Sequence, residues 1–281
     1  MLKLAAFADE ISQDIDEQIR VCRENAVTHF ELRGVAGKNV LDFDPPLRNE
    51  IKRKLSDNGL GVISIGSPIG KAPIDTPWDA YFDRFKIAVD AAEFFGSPLI
   101  RVFSYYPPGG AGKGPIEPHR DEVMRRFRAK VDYIKDRPVT LVHENERDIY
   151  GDAYRRCEEL MQTIDSPKLR FAFDFANFIQ CGDDPQRNWP GLKPYVAHIH
   201  IKDAVAGSGK VVPAGQGDGK IGPILADAYR SGYRGFLSLE PHLKVAGHSH
   251  GETGAELFKV AADALKNLCR QVGVPLASGV A

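Results

Sequence analysis

The chain has 281 residues, 37 Lys and Arg against 38 Asp and Glu, a formal net charge of −1, and 43% hydrophobic and 27% charged residues. This is the composition of a globular protein, and the even charge excludes a globally basic nucleic-acid binder or charge-driven adhesion to an anionic membrane. Asp9 and Glu10 interrupt the start before a signal-peptide core can develop, no apolar run reaches 18 residues, and Cys22, Cys157, Cys181 and Cys269 form no close-spaced pair, so a cytoplasmic, reduced setting without a membrane span is predicted.

In chain order, short segments rich in Val, Ile, Leu and Phe recur as LKLAAF (2–7), THFELR (28–33), GVISIG (61–66), LIRVFS (99–104), VTLVHE (139–144), LRFAFD (169–174), YVAHIHIK (195–202) and FLSLE (236–240). Runs this apolar suit strands buried on both faces of a parallel sheet. Between them, helices are predicted over 14–25, 46–58, 78–95, 118–135, 152–163, 222–231 and 252–271, with Gly59 and Gly96 placed as helix stops. The link DDPQRNWPGLKP between the sixth and seventh strands has room only for a short helix. Eight β/α units fit a closed (β/α)8 barrel, an α/β fold of one domain over 1–281. An open doubly wound sheet is the alternative, but no Gly-x-Gly-x-x-Gly follows the first strand. Two long loops, 67–77 and 105–118, follow the third and fourth strands and in a barrel cover the C-terminal face, where sites form.

The strands carry ionisable residues at their C-terminal ends. Glu144, Asp174 and Glu240 close the fifth, sixth and eighth, and His200 lies near the end of the seventh. In a barrel these ends converge. Three carboxylates and an imidazole form a hard O/N donor set suited to one divalent cation, and their mutual repulsion demands a cation or shared protons.

The motifs FADEIS (7–12), HENERDIYGD (143–152), FAFDFAN (171–177), HIHIKD (198–203), VPAGQGDG (212–219) and LSLEPH (237–242) together resemble the xylose-isomerase-like barrels over nearly the whole chain. Within them they are most similar to the sugar phosphate isomerase/epimerase group, with its tagatose 3-epimerase-like and inosose-dehydratase-like members. The resemblance implies the following assignments. Glu144, Asp174, His200 and Glu240 hold one divalent cation, Mn2+ first, with Mg2+, Co2+ or Zn2+ as alternatives. Glu144 and Glu240 double as the catalytic acid/base pair. The substrate is a small carbohydrate or cyclitol, and relatives often form dimers or tetramers. The implied reaction is isomerisation or epimerisation, in which a carboxylate takes a proton beside a carbonyl and the cation stabilises the enediolate. A dehydratase of the inosose or dehydroshikimate type would share that first step, and a metal-binding carbohydrate-binding barrel without turnover is the non-enzymic alternative. A DNA-repair nuclease fits poorly, because the charge is balanced and the extra histidines of a three-metal cluster are missing.

Four further residues are expected to bind substrate: Lys202, for an oxyanion or carboxylate; Asn177, where many relatives carry a histidine; Arg147, as an anion clamp; and His242. Several neighbours keep two roles each. His198 is either a neighbour of the ligands or a core imidazole bonded to backbone. Glu146 competes with Glu144 if the strand continues. Glu31 and Arg33 form a salt bridge or touch substrate, and Asp9 and Glu10 order a loop, bind hydroxyls or cap the first helix. Asp203 caps a turn or fixes Lys202, while His143 faces away from Glu144.

Overall fold

The computed structural model describes residues 1–246 and 251–279. Eight parallel strands close a barrel in chain order: β1 (Lys3–Ala6), β2 (His29–Leu32), β3 (Gly61–Ile65), β4 (Leu99–Val102), β5 (Thr140–Glu144), β6 (Leu169–Asp174), β7 (Val196–Ile201) and β8 (Phe236–Leu239). The last pairs with the first, Lys3 opposite Phe236 through Ala6 opposite Leu239, so no barrel edge is left open. Each strand coincides with one predicted segment; β6 has the predicted bounds and the other seven are shorter by one or two residues.

Around the barrel run α1 (Ile15–Glu24), α2 (Pro45–Asp57), α3 (Trp78–Phe95), α4 (Arg120–Tyr133), α5 (Tyr154–Ile164), α6 (Phe175–Gln180), α7 (Pro185–Leu192), α8 (Ile221–Arg230) and α9 (Gly254–Gln271). Their starts follow side-chain chemistry. Asp14, Asp44 and Asp184 accept backbone N–H groups of the first turns of α1, α2 and α7, and proline opens both α2 and α7. At the end of α3, Gly96 takes φ 69°, the left-handed conformation expected of a helix stop. Side chains such as Phe127, Phe171, Phe173 and Leu265 are buried between barrel and helices, and their removal from water supplies most of the driving force for the fold.

The link after β6 holds the expected short helix as α7, and a second short helix, α6, precedes it, because Asp174 Oδ1 accepts from Asn177 N at 2.7 Å and starts a helix where the strand ends. The long loops after β3 and β4 are tied to each other by Phe103 N to Ile69 O, Tyr105 N to Gly70 O and Ile74 N to Tyr106 O. Gly70 is required there: its φ is 98°, and a Cβ would lie 1.9 Å from Phe103 O. Among the described residues no helix is long and apolar enough to cross a membrane.

Candidate metal centre

Glu144 and Asp174 are the last residues of β5 and β6, His200 is the penultimate residue of β7, and Glu240 follows β8 directly. Strand register sets their common height: Glu144 lies opposite Ala172, Asp174 opposite His200, and His200 opposite Ser238. All four are buried, and one ligand atom from each lies within 4.8 Å of the others.

Cationic side chains are packed into the same cage. Lys202 Nζ lies 3.0 Å from Asp174 Oδ2 and 3.2 Å from Glu240 Oε2. Arg101 donates to Glu144 Oε2 at 3.1 Å, and Arg33 to Glu240 Oε1 at 3.1 Å. The two guanidiniums stand 4.7 and 4.5 Å from the ring of Phe7. Burial alone would raise the Glu144 carboxyl, but His200 and Arg101 outweigh it and hold Glu144 down at about 2. Glu240 is likewise held well below the carboxylate range, Lys202 and His242 overcoming burial. Asp174 is pushed up to about 6 by burial, which Lys202 offsets only in part and which Glu144 and Glu240 reinforce. Burial would lower His200, yet Glu31 and Glu144 raise it well above the imidazole range.

These residues fit a divalent cation. His200 Nδ1 is buried and makes no hydrogen bond, although Glu144 Oε1 is 3.2 Å away and Glu240 Oε2 3.8 Å away. Among the described residues Asp174 Oδ2 is also without a hydrogen bond, with the Lys202 ammonium as its ionic neighbour at 3.0 Å. A cation would displace the proton from His200 Nδ1, and that nitrogen with the three carboxylates then makes a hard, mixed oxygen and nitrogen donor set of the kind Mn2+, Mg2+, Co2+ and Zn2+ accept.

The other expected residues separate into groups. Lys202 is inside the cage. Asn177 is buried beside it, donating through Nδ2 to Glu144 Oε1 at 3.1 Å and Asn145 O at 2.8 Å, so in this structure it orients a candidate ligand. His242 Nε2 lies 3.2 Å from Glu10 Oε1 and 3.5 Å from Glu240 Oε1, with burial lowering and Glu10 raising its imidazole, to about 9 on balance. Arg147 is not brought into the cage: its side chain is half-exposed and pairs with Asp148 at 3.7 Å, because β5 ends at Glu144 and the chain turns outward. The same strand ending removes Glu146 from competition with Glu144; it pairs with Lys71 at 2.8 Å.

His198 bonds a carboxylate, not backbone: its Nε2 lies 2.8 Å from Glu31 Oε2. Glu31 and Arg33 do not pair with each other. Both take the interior side of the barrel, and Arg33 Nε instead donates to Asp9 Oδ2 at 2.7 Å. Glu10 receives His242 N and Thr253 Oγ1, each at 2.8 Å, tying the turn after β1 to the segment after β8, while Asp14 caps α1. Asp203 caps the loop after β7, receiving Gly215 N, Gly217 N and Gly219 N at 2.9, 3.1 and 2.9 Å. A Cβ on Gly217 or Gly219 would lie 2.5 or 2.7 Å from its carboxylate, and Gly215 takes a φ of 84°, so glycine suits all three positions of VPAGQGDG. His143 does face outward, against Phe127 of α4, bonding Ser104 Oγ.

Sequence reasoning passed over Arg101 and Asn145. An arginine within the apolar run LIRVFS is a legible signal, since an unpaired charge cannot stay inside a barrel. Asn145 is buried and exchanges side-chain hydrogen bonds with the backbone of Asp174, 3.0 Å each way, a role no motif announces.

The comparisons with known proteins agree with this architecture. A curated relative, the 3-dehydroshikimate dehydratase of Bacillus anthracis, is 20% identical over 186 residues, 66% of this chain and 65% of its own length. The chain thus spans slightly less than two thirds of that relative. Among solved structures, a D-tagatose 3-epimerase-like protein superposes with a TM-score of 0.75 at 14% identity, covering 96% of this chain and 100% of that one. A xylose isomerase-like TIM barrel protein from Mycobacterium smegmatis in complex with magnesium superposes with a TM-score of 0.73 at 16% identity, covering 98% of each. The model of one family, described as xylose isomerase-like TIM barrel, matches residues 19–274, and the closed eight-stranded barrel with its acidic strand ends accords with that match: the chain belongs to the xylose isomerase-like TIM barrel family.

Proposed function

We propose that this barrel is a divalent-metal-dependent isomerase or epimerase of a small ketose, aldose or polyol-derived ketone. The observation that carries the proposal is the meeting of Glu144, Asp174, His200 and Glu240, four buried residues with ligand atoms within 4.8 Å, on four successive strands. A divalent cation held by them, Mn2+ first among Mg2+, Co2+ and Zn2+, would supply Lewis-acid polarisation of a substrate carbonyl. The magnesium bound by the Mycobacterium smegmatis barrel supports a divalent cation here.

The chain's own groups then divide the work. Glu144 and Glu240 take and return the proton at the carbon beside the carbonyl. His200 and Arg101 keep Glu144 ionised, Lys202 and His242 keep Glu240 ionised, and Arg33 donates to Glu240 Oε1 at 3.1 Å, so both carboxylates can accept it. Asn177, bonded to Glu144 Oε1, fixes the direction of that carboxylate. Lys202 is buried among the carboxylates, and its ammonium can take up negative charge developing on a substrate oxygen. His242, at the rim beside Glu240, and Arg147, further out, are the remaining candidates for substrate hydroxyl or anionic groups.

A dehydratase is the second reading, favoured by the Bacillus anthracis relative. Proton removal would be the same, and a protonated neighbour such as His242 or Lys202 would assist departure of the β-hydroxyl. The test is incubation of the Mn2+-loaded protein with ketoses, aldoses, inososes and 3-dehydroshikimate in D2O, followed by NMR and mass spectrometry. Deuterium beside the carbonyl with an isomeric product supports the first reading, and loss of water the second. Binding without exchange or product would leave the carbohydrate-binding barrel and overturn the enzymatic proposal.

A further inference from the structure

We propose that Glu31 is a positioning residue for the metal centre, accepting the Nε2 hydrogens of His198 and His200 and thereby turning the Nδ1 lone pair of His200 towards Glu144 and Glu240. The proposal rests on the reading of those residues as cation ligands.

Glu31 is fully buried inside the barrel, on a different strand from every candidate ligand. Its Oε2 lies 2.8 Å from His198 Nε2 and 3.1 Å from His200 Nε2, and its Oε1 accepts from Ser64 Oγ at 3.0 Å. A register shift between Phe30 and Glu31 sets Glu31 opposite Ser64 instead of Ile63, which brings the hydroxyl to the carboxylate. The His200 ring is held on two further sides: the ring of His198 meets it at 5.2 Å and 89°, and that of Phe7 at 5.3 Å and 80°. Ring rotation is therefore blocked by packing as well as by the hydrogen bond.

The chemistry follows from donor and acceptor capacity. An ionised carboxylate only accepts, so each Nε2 facing Glu31 carries its hydrogen. A neutral imidazole with hydrogen on Nε2 has its free lone pair on Nδ1, the atom 3.2 Å from Glu144 Oε1. A carboxylate behind a ligating histidine fixes its tautomer and orientation and raises its basicity, and loss of such a partner weakens metal binding by about 10- to 100-fold. Glu31, His198 and His200 also have ligand atoms close enough to hold a second cation themselves, and stoichiometry separates that alternative from positioning.

The test compares Mn2+ binding to the unaltered protein and to Glu31→Gln by calorimetry, alongside 15N imidazole NMR of the unaltered protein loaded with diamagnetic Mg2+. Positioning predicts one Mn2+ per chain in both proteins, a Kd weakened roughly 10- to 100-fold by the substitution, and His200 protonated on Nε2. The His200 signal is identified by its loss in His200→Gln. Equal Mn2+ affinity in the two proteins, or hydrogen on Nδ1 of His200, overturns the proposal. So do two Mn2+ per chain with one lost in Glu31→Gln, which would make Glu31 a ligand. If Glu31→Gln does not fold, the NMR of the unaltered protein decides alone. Failure of the unaltered protein to bind any divalent cation would instead overturn the metal centre itself, a separate result.

Discussion

Lys130 offers a test of the packing behind β5 that does not depend on the function. It lies on α4, fully buried, with Nζ 4.1 Å from the centre of the Phe127 ring and 4.9 Å from that of Tyr105. Among the described residues Nζ has no hydrogen-bond partner. Burial, reinforced by Arg126, lowers the ammonium from 10.5 to about 7. At 1.36 kcal/mol per pH unit, that difference costs the native state about 5 kcal/mol when the lysine is charged. Below pH 7 both native and unfolded chains carry the proton, and the full cost applies. Between about 7 and 10.5 the unfolded chain binds more protons, so stability rises with pH, and above 10.5 this penalty has vanished. His143 is pushed down to about 3 by burial and by Lys130, and stays neutral throughout. Lys130→Met removes the charge, keeps the length of the side chain and forfeits roughly 1–2 kcal/mol of ring–cation attraction. A gain of about 3 kcal/mol at pH 6 is expected, raising the calorimetric midpoint by roughly 6–12 °C, with the advantage shrinking by pH 10. A destabilised variant, or a difference that does not change with pH, would refute the reasoning.

Asp174→Asn preserves an N-cap for α6, because asparagine caps as well as aspartate, but removes one anionic candidate ligand. The barrel should stay folded by circular dichroism while calorimetric Mn2+ affinity falls by about 100-fold or more. In Lys202→Met the ammonium no longer neutralises Asp174 and Glu240, so Mn2+ should bind more tightly, by about tenfold, while turnover on any active substrate falls by about 100-fold. Asp203→Ala leaves the amides of Gly215, Gly217 and Gly219 without their acceptor. Hydrogen exchange should show the loop opening more readily by about 3 kcal/mol, since hydrogen bonds to a charge contribute roughly 1.5–3 kcal/mol each and do not add fully.

Much of the candidate site was legible because a parallel strand buried on both faces has a plain signature, and polar residues stand out against it. Glu144, Asp174, His200 and Glu240 are each near the end of an apolar run, and a closed barrel brings such ends together. The contacts of Glu31 and Arg33 were not legible. A mutual salt bridge and a substrate contact were equally open for them, yet across the barrel interior His198, His200 and Glu240 are their partners. Whether Arg147 and Glu146 join the cage was not legible for a local reason: whether a strand continues one or two residues further depends on its neighbour's register.

The amino-acid order by itself determined the eight-fold alternation, the helix starts set by Asp14, Asp44 and Asp184, and the chemical type of the strand ends, because these follow from side-chain polarity, local hydrogen bonding and spacing along one segment. Only the tertiary structure decided that Arg101 faces Glu144, that Glu31 stands behind two histidines, and that Asp203 gathers a loop twelve to sixteen residues away. Those contacts depend on register and curvature around a closed barrel, and a charge inside it pairs with whichever opposite group the closure brings near.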